Sequence, residues 1–276
     1  MASGSFACSL LLIVSFAAKP ETLDPREIVR RSVNHDLANS ERARQYTYVE
    51  NIKERKYDSG GKVIKAESET KDVLFVYGLP YTRLTMRDGK PLPPADERKE
   101  EEKLQKLLDK RSQEGDAERT KRIAEHEKKR SERREFMREI PDAFDFKLVG
   151  EDNIGGRSVY VITADPRPGY KPKTTKTAAM TKFKGKLWID KTEFQWVKAE
   201  CESLDTVSFG LILARLAKGA VIRFEQTYVN NEVWLPKSIF IKIDGRLALF
   251  KRDIVEIEQN MSNYRKFQTD SKIVIK

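Results

Sequence analysis

Histidine, the side chain most often used for acid–base catalysis and metal binding, occurs only twice, at His35 and His126. Neither has a second histidine at ligand spacing, and no His-Glu-x-x-His or Gly-x-Ser-x-Gly motif occurs. The glycine pairs at 60–61 and 155–156 fall between predicted strands, where they indicate turns rather than phosphate-binding loops. The sequence therefore predicts no catalytic residue, no metal site and no cofactor.

A site made of carboxylates alone stays open as an alternative. Asp190 and Glu200 lie on neighbouring predicted strands, so a hydrolase is retained as a third hypothesis. Acidic residues on the solvent side of a half-exposed sheet are, however, the ordinary pattern.

The chain has two cysteines, Cys8 and Cys201. Cys201 follows Val197 and Ala199 at alternate positions on the apolar side of a predicted strand. This pattern favours a buried thiol over a reactive one. If Cys8 is removed with a signal peptide, no internal disulfide can form.

The elements that would position any site are mainly strands. Asp24 and Pro25 are typical of a helix start, and the apolar spacing that follows predicts a helix ending between 38 and 40. A predicted meander of strands spans 46–86, with a hairpin turn at 58–61. Further alternating segments run from 144 to 257. Regular hairpins with one apolar face indicate a large antiparallel sheet in an α+β fold.

Two segments interrupt the strands. About two-thirds of residues 96–139 are charged, with acids and bases nearly balanced, which predicts a charged helical insertion at about 95–140, mostly exposed and composed of two helices. A short helix is predicted at 206–218, with Gly219 as its C-cap.

A long loop is predicted at 165–184, rich in proline, lysine and threonine. It is either a solvated loop or a contact for an anionic lipid or an acidic partner. Nucleic acid is disfavoured because the loop carries few aromatic residues for stacking. The candidate residues for this contact are Arg167, Lys171, Lys173, Lys176 and Lys182, followed by Lys184 and Lys186.

One face of the predicted sheet is apolar. It is either core beneath the helices or, where the helices leave space, the lining of a cleft for an acyl chain. The candidate lining residues are Leu187, Ile189, Val197, Phe224, Tyr228, Ile239 and Ile241, together with Ile243.

The N-terminus carries an apolar run at 6–18 that has the length of a signal-peptide core and is too short to span a bilayer. Residues 1–18 are therefore predicted to be a signal peptide, with a buried N-terminal element as the alternative. The remaining residues, 19–276, are predicted to form one exported, soluble domain. The formal net charge of +10 favours anionic partners without choosing among them.

The segment Gly185-Lys-Leu-Trp-Ile-Asp190, the strand that follows it to Glu200, and Val233-Trp-Leu-Pro236 resemble the outer-membrane lipoprotein-sorting protein family. The order of elements over residues 20–90 and 144–276 is also similar. The resemblance implies a LolA/LolB-like and RseB-like half-barrel, a curved antiparallel sheet wrapped over helices, with a cavity for lipid or lipoprotein acyl chains. Relatives with this fold also act as periplasmic stress sensors that bind proteins.

Two functions follow as hypotheses. The first is a periplasmic, non-enzymatic binding protein or carrier for lipid or lipoprotein acyl chains. The second is a protein-interaction or stress-sensing module of the cell envelope that uses the charged helices and the basic loop, with an anionic membrane surface or envelope proteins as partners.

Overall fold

The computed structural model describes residues 23–209, 214–247 and 252–267. Its helices are Pro25–Ala43 (α1), Pro94–Ser112 (α2), Asp116–Ala143 (α3) and Thr175–Met180 (α4). Its strands are Tyr46–Tyr57 (β1), Val63–Val76 (β2), Leu79–Arg87 (β3), Lys90–Pro91 (β4), Phe144–Ile154 (β5), Arg157–Pro166 (β6), Phe183–Asp190 (β7), Trp196–Ser203 (β8), Val207–Phe209 (β9), Ala214–Leu216 (β10), Val221–Val229 (β11), Val233–Leu247 (β12) and Arg252–Lys266 (β13).

The strands form one antiparallel sheet in the order β4-β3-β2-β1-β13-β12-β11-β8-β7-β6-β5, with β9 and β10 attached beside β12. Strand β13 lies between β1 and β12, so this strand joins the N-terminal meander to the later hairpins. The predicted α+β class, a large antiparallel half-barrel sheet over helices, is confirmed.

Helix α1 begins as the sequence indicates. The Asp24 side chain accepts a hydrogen bond from the backbone N–H of Arg26, and Pro25 occupies the first turn. The helix continues to Ala43, a few residues beyond the predicted end. Ile28 and Val29 are fully buried against the sheet, and each apolar side chain buried in this way stabilises the fold by about 1.5–3 kcal/mol.

The face of the sheet that packs against α1 is called the inner face below. It is identified by Ile162 on β6 together with Leu187 and Ile189 on β7, which share a core cluster with Ile28 and Val29. These side chains alternate with others that point to the opposite, outer face, where Val161 and Trp188 belong to a different cluster.

The charged insertion forms two helices, α2 and α3, as the sequence predicts. These helices are less exposed than the sequence predicts, because the second half of α3 contacts α1. An ion pair joins Arg130 to Glu41 on α1, and Pro141 and Ala143 at the end of α3 are buried. The insertion therefore covers part of the inner face instead of only projecting from the sheet.

Two expectations about irregular segments are wrong. The predicted helix at 206–218 is replaced at 207–209 and 214–216 by β9 and β10, which pair with each other. The predicted loop at 165–184 contains helix α4, which Thr174 caps through a reciprocal hydrogen-bond pair with Thr177. Strand β7 then begins at Phe183. In the first segment, strand pairing determines the structure despite a composition typical of a helix. In the second, the Thr174 cap stabilises a helix in a segment whose composition is typical of a loop.

The predicted signal peptide lies outside the described residues. Within them, no helix combines the length and apolar character needed to cross a bilayer.

Candidate functional site: an apolar cavity under helix α3

A cavity of about 800 Å³ lies between the inner face of the sheet and the C-terminal half of α3. This volume is within the range of roughly 300–1,000 Å³ that is usual for small-molecule sites. Its lining is mainly apolar and comprises Phe136, Met137, Ile140, Phe144, Phe146, Ala164, Ala179, Met180, Phe183, Gly185, Leu187, Trp196, Ala199, Cys201, Leu216, Ile222 and Phe224, with the polar residues Asp36, Lys129, Glu132, Arg133, Thr175, Lys176, Lys184 and Gln226.

The floor of the cavity is a row of mostly small side chains that crosses neighbouring strands. Ala164 on β6 pairs with Gly185 on β7, Gly185 pairs with Cys201 on β8, and Cys201 pairs with Ile222 on β11. Directly opposed residues share a face of the sheet, so all four point inward. A glycine, an alanine and a cysteine in one row leave space that larger residues would fill.

Helix α3 supplies the wall opposite this floor. Phe136, Met137 and Ile140 fall within one turn of one another and all line the cavity. Met180 on α4 also lines the cavity and packs against the core cluster that contains Phe144, the first residue of β5. The only clearly apolar stretch at the end of the charged insertion is therefore the part that encloses the cavity.

Asp36 on α1 places a carboxylate in this apolar lining. Its Oδ1 accepts hydrogen bonds from Nε2 of Gln195 at 3.2 Å and, more weakly, from Nε2 of Gln226 at 3.4 Å. Nη2 of Arg133 lies 3.9 Å from Oδ2, and the Arg133 side chain is 69% exposed. Burial raises the pKa of Asp36, although Arg133 and both glutamines act in the opposite direction.

Cys201 contributes its thiol to the cavity floor. Burial, with a smaller effect from the nearby Glu200, raises the pKa of Cys201 to about 11. The thiol is therefore protonated at neutral pH and behaves as a small apolar group, as the sequence indicates.

The structure separates the predicted lining residues into four groups, of which three lie on the inner face. Leu187 and Phe224 line the cavity. Ile239 and Ile241 lie on the same face, opposite Phe224 and Ile222 in the next strand, but are not among the lining residues. Ile189 is fully buried in the core under α1.

The predictions for Val197 and Tyr228 are not supported, because both belong to the outer cluster around Trp234. A bulge explains Val197: Trp188 pairs with Lys198 and Ile189 pairs with Trp196, so Val197 is an extra residue. The bulge puts Trp196, instead of Val197, on the inner face with Ala199. Tyr228 lies near the end of β11, where it pairs with Trp234 and its ring packs against Trp234 in the outer cluster.

Sequence reasoning missed the helical wall of the cavity and its polar group. Phe136, Met137 and Ile140 form a short apolar patch at the end of a charged segment, and this signal was available. Nothing in the sequence indicated that Asp36 lines the cavity, because an acidic residue near the end of an amphipathic helix is expected to face solvent.

The basic loop is largely paired with acidic residues. Nε of Arg167 lies 3.1 Å from Oδ1 of Asp145, and Nζ of Lys176 lies 2.8 Å from Oε2 of Glu132. Nζ of Lys182 lies 4.0 Å from Asp205. Lys171 and Lys173 are exposed. Lys184, which belongs to β7, lies 2.9 Å from Glu202, so the segment is not a uniform cationic surface.

The carboxylates considered for catalysis have structural contacts. Oδ1 of Asp190 accepts hydrogen bonds from the backbone N–H groups of Thr192 and Glu193, and its Oδ2 lies 3.1 Å from Arg157. Glu200 contacts Lys198 on its own strand. Across the described ranges, no group of three or more potential ligand side chains is placed to hold a metal ion.

The half-barrel sheet and the helices on its inner face together form one apolar cavity. No protein-family model matches the chain, and no curated protein sequence matches it. Solved structures to which the chain is similar include a DUF1329 family protein from Desulfovibrio piger, with 12% identity, coverage of 90% of this chain and 95% of that chain, and a TM-score of 0.35.

Two further similar structures are a putative outer membrane lipoprotein-sorting protein domain from Vibrio parahaemolyticus and a LolA superfamily protein from Nitrosomonas europaea. Both have 13% identity, with TM-scores of 0.32 and 0.30. The first match covers 89% of this chain and 95% of that chain, and the second covers 92% and 99%. These structures belong to the group that the sequence resembles.

Proposed function

We propose that this protein is a non-enzymatic binding protein or carrier for the acyl chains of lipids or lipoproteins in the periplasm. The observation that carries the proposal is the cavity of about 800 Å³, lined by apolar side chains and covered by α3. Burial of each methylene group contributes about 0.8 kcal/mol, so an alkyl chain alone supplies substantial affinity. The apolar run at 6–18 supports export.

The proposal is tested by native mass spectrometry of protein purified from the periplasm, followed by lipid extraction. We expect a stoichiometric acyl-lipid adduct. In the variant Phe224→Asp, which places a charge in the cavity wall, the adduct should be lost.

The matched control is Phe240→Asp, which makes the same change on the adjacent strand. Phe240 pairs with Arg223 and points away from Phe224, so the control should keep its adduct. A clean apo mass for the wild-type protein, unchanged after incubation with lipid vesicles, would contradict the proposal.

The second candidate function is a protein-interaction module of the cell envelope. It is favoured by Ile123 on α3, which is 50% exposed within the charged hairpin of α2 and α3. A photocrosslinking residue at position 123, compared with one at position 60 in the β1–β2 turn, tests this alternative in producing cells. A specific adduct from position 123 alone, combined with an apo mass, would favour the interaction module.

A further inference from the structure

Helix α3 presents one stripe of side chains to the cavity, and the chemistry of this stripe changes along the helix. Its members recur at intervals of three and four residues, so they share one face of the helix: Lys129, Glu132, Arg133, Phe136, Met137 and Ile140. The C-terminal three are apolar and the N-terminal three are charged. A ligand that lies along α3 therefore meets apolar groups at one end and ionic groups at the other.

The charged end of the stripe is the open end of the cavity. The Arg133 side chain is 69% exposed, and Lys129 is also exposed. Beyond the apolar end, Ala143 is fully buried and Phe144 is 6% exposed. An amphiphile bound along this stripe would therefore place its alkyl chain towards Phe144 and its head at the mouth.

The lining of the cavity carries an excess of positive charge. Four of its side chains are basic and two are acidic, which gives a formal net charge of +2. Two of the bases are paired: Nζ of Lys176 lies 2.8 Å from Oε2 of Glu132, and Nζ of Lys184 lies 2.9 Å from Oε2 of Glu202. The other two bases are those at the charged end of the α3 stripe.

These two bases, Lys129 and Arg133, have donors available at the mouth. They are one helical turn apart, so their Cβ atoms are separated by about 5–6 Å. Lys129 forms no hydrogen bond and no ion pair within the described residues. Nη2 of Arg133 lies 3.9 Å from Oδ2 of Asp36, which is beyond hydrogen-bonding distance. A single anionic group at the mouth can therefore accept hydrogen bonds from both side chains.

We infer that the cavity selects amphiphiles with an anionic head, a phosphate or a carboxylate, and that Lys129 and Arg133 bind this head. The inference rests on the proposed function, because it specifies the head of the acyl ligand. The alkyl chain lies along Phe136, Met137 and Ile140, where burial supplies affinity without regard to the head. The two bases supply the selectivity.

The test compares probes that share one chain length and differ in the head: dodecyl phosphate, laurate, methyl laurate and dodecyltrimethylammonium. Displacement of a fluorescent acyl probe from protein purified from the periplasm measures the dissociation constant of each. We expect the two anions to bind about tenfold more tightly than methyl laurate, and the cation to bind most weakly. The tighter of the two anions indicates whether the head is that of a phospholipid or of a fatty acid.

Salt provides an independent readout of the same contact. The advantage of the anions over methyl laurate should shrink when NaCl is raised from about 0.05 M to about 0.5 M, because exposed ion pairs are screened. The affinity of methyl laurate should not fall, because burial of its chain involves no charge.

A double variant assigns the selectivity to the two bases. Lys129→Gln combined with Arg133→Gln should weaken the binding of both anions about tenfold and leave methyl laurate unchanged. Glutamine is a good helix former, so α3 is retained. The matched control, Lys128→Gln combined with Arg138→Gln, removes the same charges from exposed positions of α3 outside the lining and should keep the affinity for anions.

Equal binding of the anionic and neutral probes, or equal losses in the two double variants, would overturn the inference while leaving acyl binding intact. Failure of every probe to bind would overturn the proposed function and the inference with it.

Discussion

Two recesses on the same sheet differ in both size and chemistry. The cavity under α3 measures about 800 Å³ and is mainly apolar, whereas a recess at the far end of β1 and β2 measures about 230 Å³ and is lined by Glu54, Glu67 and Glu69 among others. In the smaller recess, each of these carboxylates lies within 3.5 Å of a lysine from its own strand.

Helical cover accounts for the difference. Around the larger cavity, α3 and α4 cover part of the inner face with apolar side chains, and the small residues of the sheet leave an apolar recess beneath them. The β1–β2 end has exposed side chains such as Ile64, which is 52% exposed, and its charges remain solvated. A sheet of this kind forms an apolar site only where helices cover it.

The largest expected effect tests this contrast through stability. Ile162→Ala removes a fully buried side chain from the core under α1 and should lower the free energy of unfolding by about 3 kcal/mol. Ile64→Ala at the exposed end should change it by about 0.5 kcal/mol or less. Urea unfolding of both variants provides the measurement, and similar losses in the two would contradict the assignment of the core to the covered half.

The second prediction fills the cavity. At Gly185 an added Cβ would lie 3.6 Å from the backbone oxygen of Glu200 and 3.7 Å from Cβ of Ala164, which are ordinary contacts. A phenylalanine there would therefore extend into the cavity. If Gly185→Phe displaces three methylene groups of the ligand, acyl-probe affinity should fall by about 2.4 kcal/mol, roughly 50-fold.

The matched control for this variant is Gly115→Phe, between α2 and α3. An added Cβ at Gly115 meets no atom within 4 Å, and the site lies outside the cavity lining. Fluorescent-probe displacement should show unchanged affinity for it. Equal affinity of Gly185→Phe and the wild-type protein would show that the acyl chain does not occupy this space.

The fold was largely predictable because its signals are local. Alternation placed Leu187 and Phe224 on the correct face, and Asp24 with Pro25 marked the start of α1. The errors arise where distant segments decide the outcome. A bulge places the Val197 side chain on the outer face instead of the inner face. Pairing with β12 makes residues 214–216 a strand instead of a helix.

The candidate site was only partly predictable for the same reason. The sheet side of the cavity follows from the period-two pattern of β7, β8 and β11. The opposite wall depends on where α3 returns along α1, through contacts such as Arg130 to Glu41 that span distant parts of the chain. No spacing within the charged insertion specifies that contact.

A smaller effect is expected at the basic loop, which we propose contacts anionic surfaces. Lys171→Ala combined with Lys173→Ala removes two exposed charges, and near an anionic bilayer each lysine contributes at most about 1 kcal/mol. Lys176→Ala combined with Lys182→Ala should cost less, because these lysines lie near Glu132 and Asp205. Sedimentation with anionic vesicles measures the binding of both double variants, and zwitterionic vesicles are the control. Equal losses of binding in the two variants would show that pairing with Glu132 and Asp205 does not weaken the contact of Lys176 and Lys182 with the membrane.

The smallest effect is a pH dependence that distinguishes the buried carboxylate from a rim carboxylate. Burial raises the pKa of Asp36 above its usual value of 3.8, against opposing contacts from Arg133, Gln226 and Gln195. The folded state then holds this proton more tightly than the unfolded state. As pH rises above 3.8, the contribution of Asp36 to stability must therefore fall until the folded group has ionised.

Asp36→Asn removes this titration. The free energy of unfolding of the variant, relative to that of the wild-type protein, should therefore increase between pH 4 and neutral pH. Glu132→Gln should show the opposite sign, because the Lys176 hydrogen bond holds the pKa of Glu132 below 4.5. The Glu132 ion pair stabilises the fold above that pH and is lost as pH falls, so the wild-type protein gains on this variant as pH rises. Urea unfolding across this range measures both slopes. Parallel slopes would show that Asp36 is solvated like the rim carboxylate, and that the cavity is open to water at Asp36.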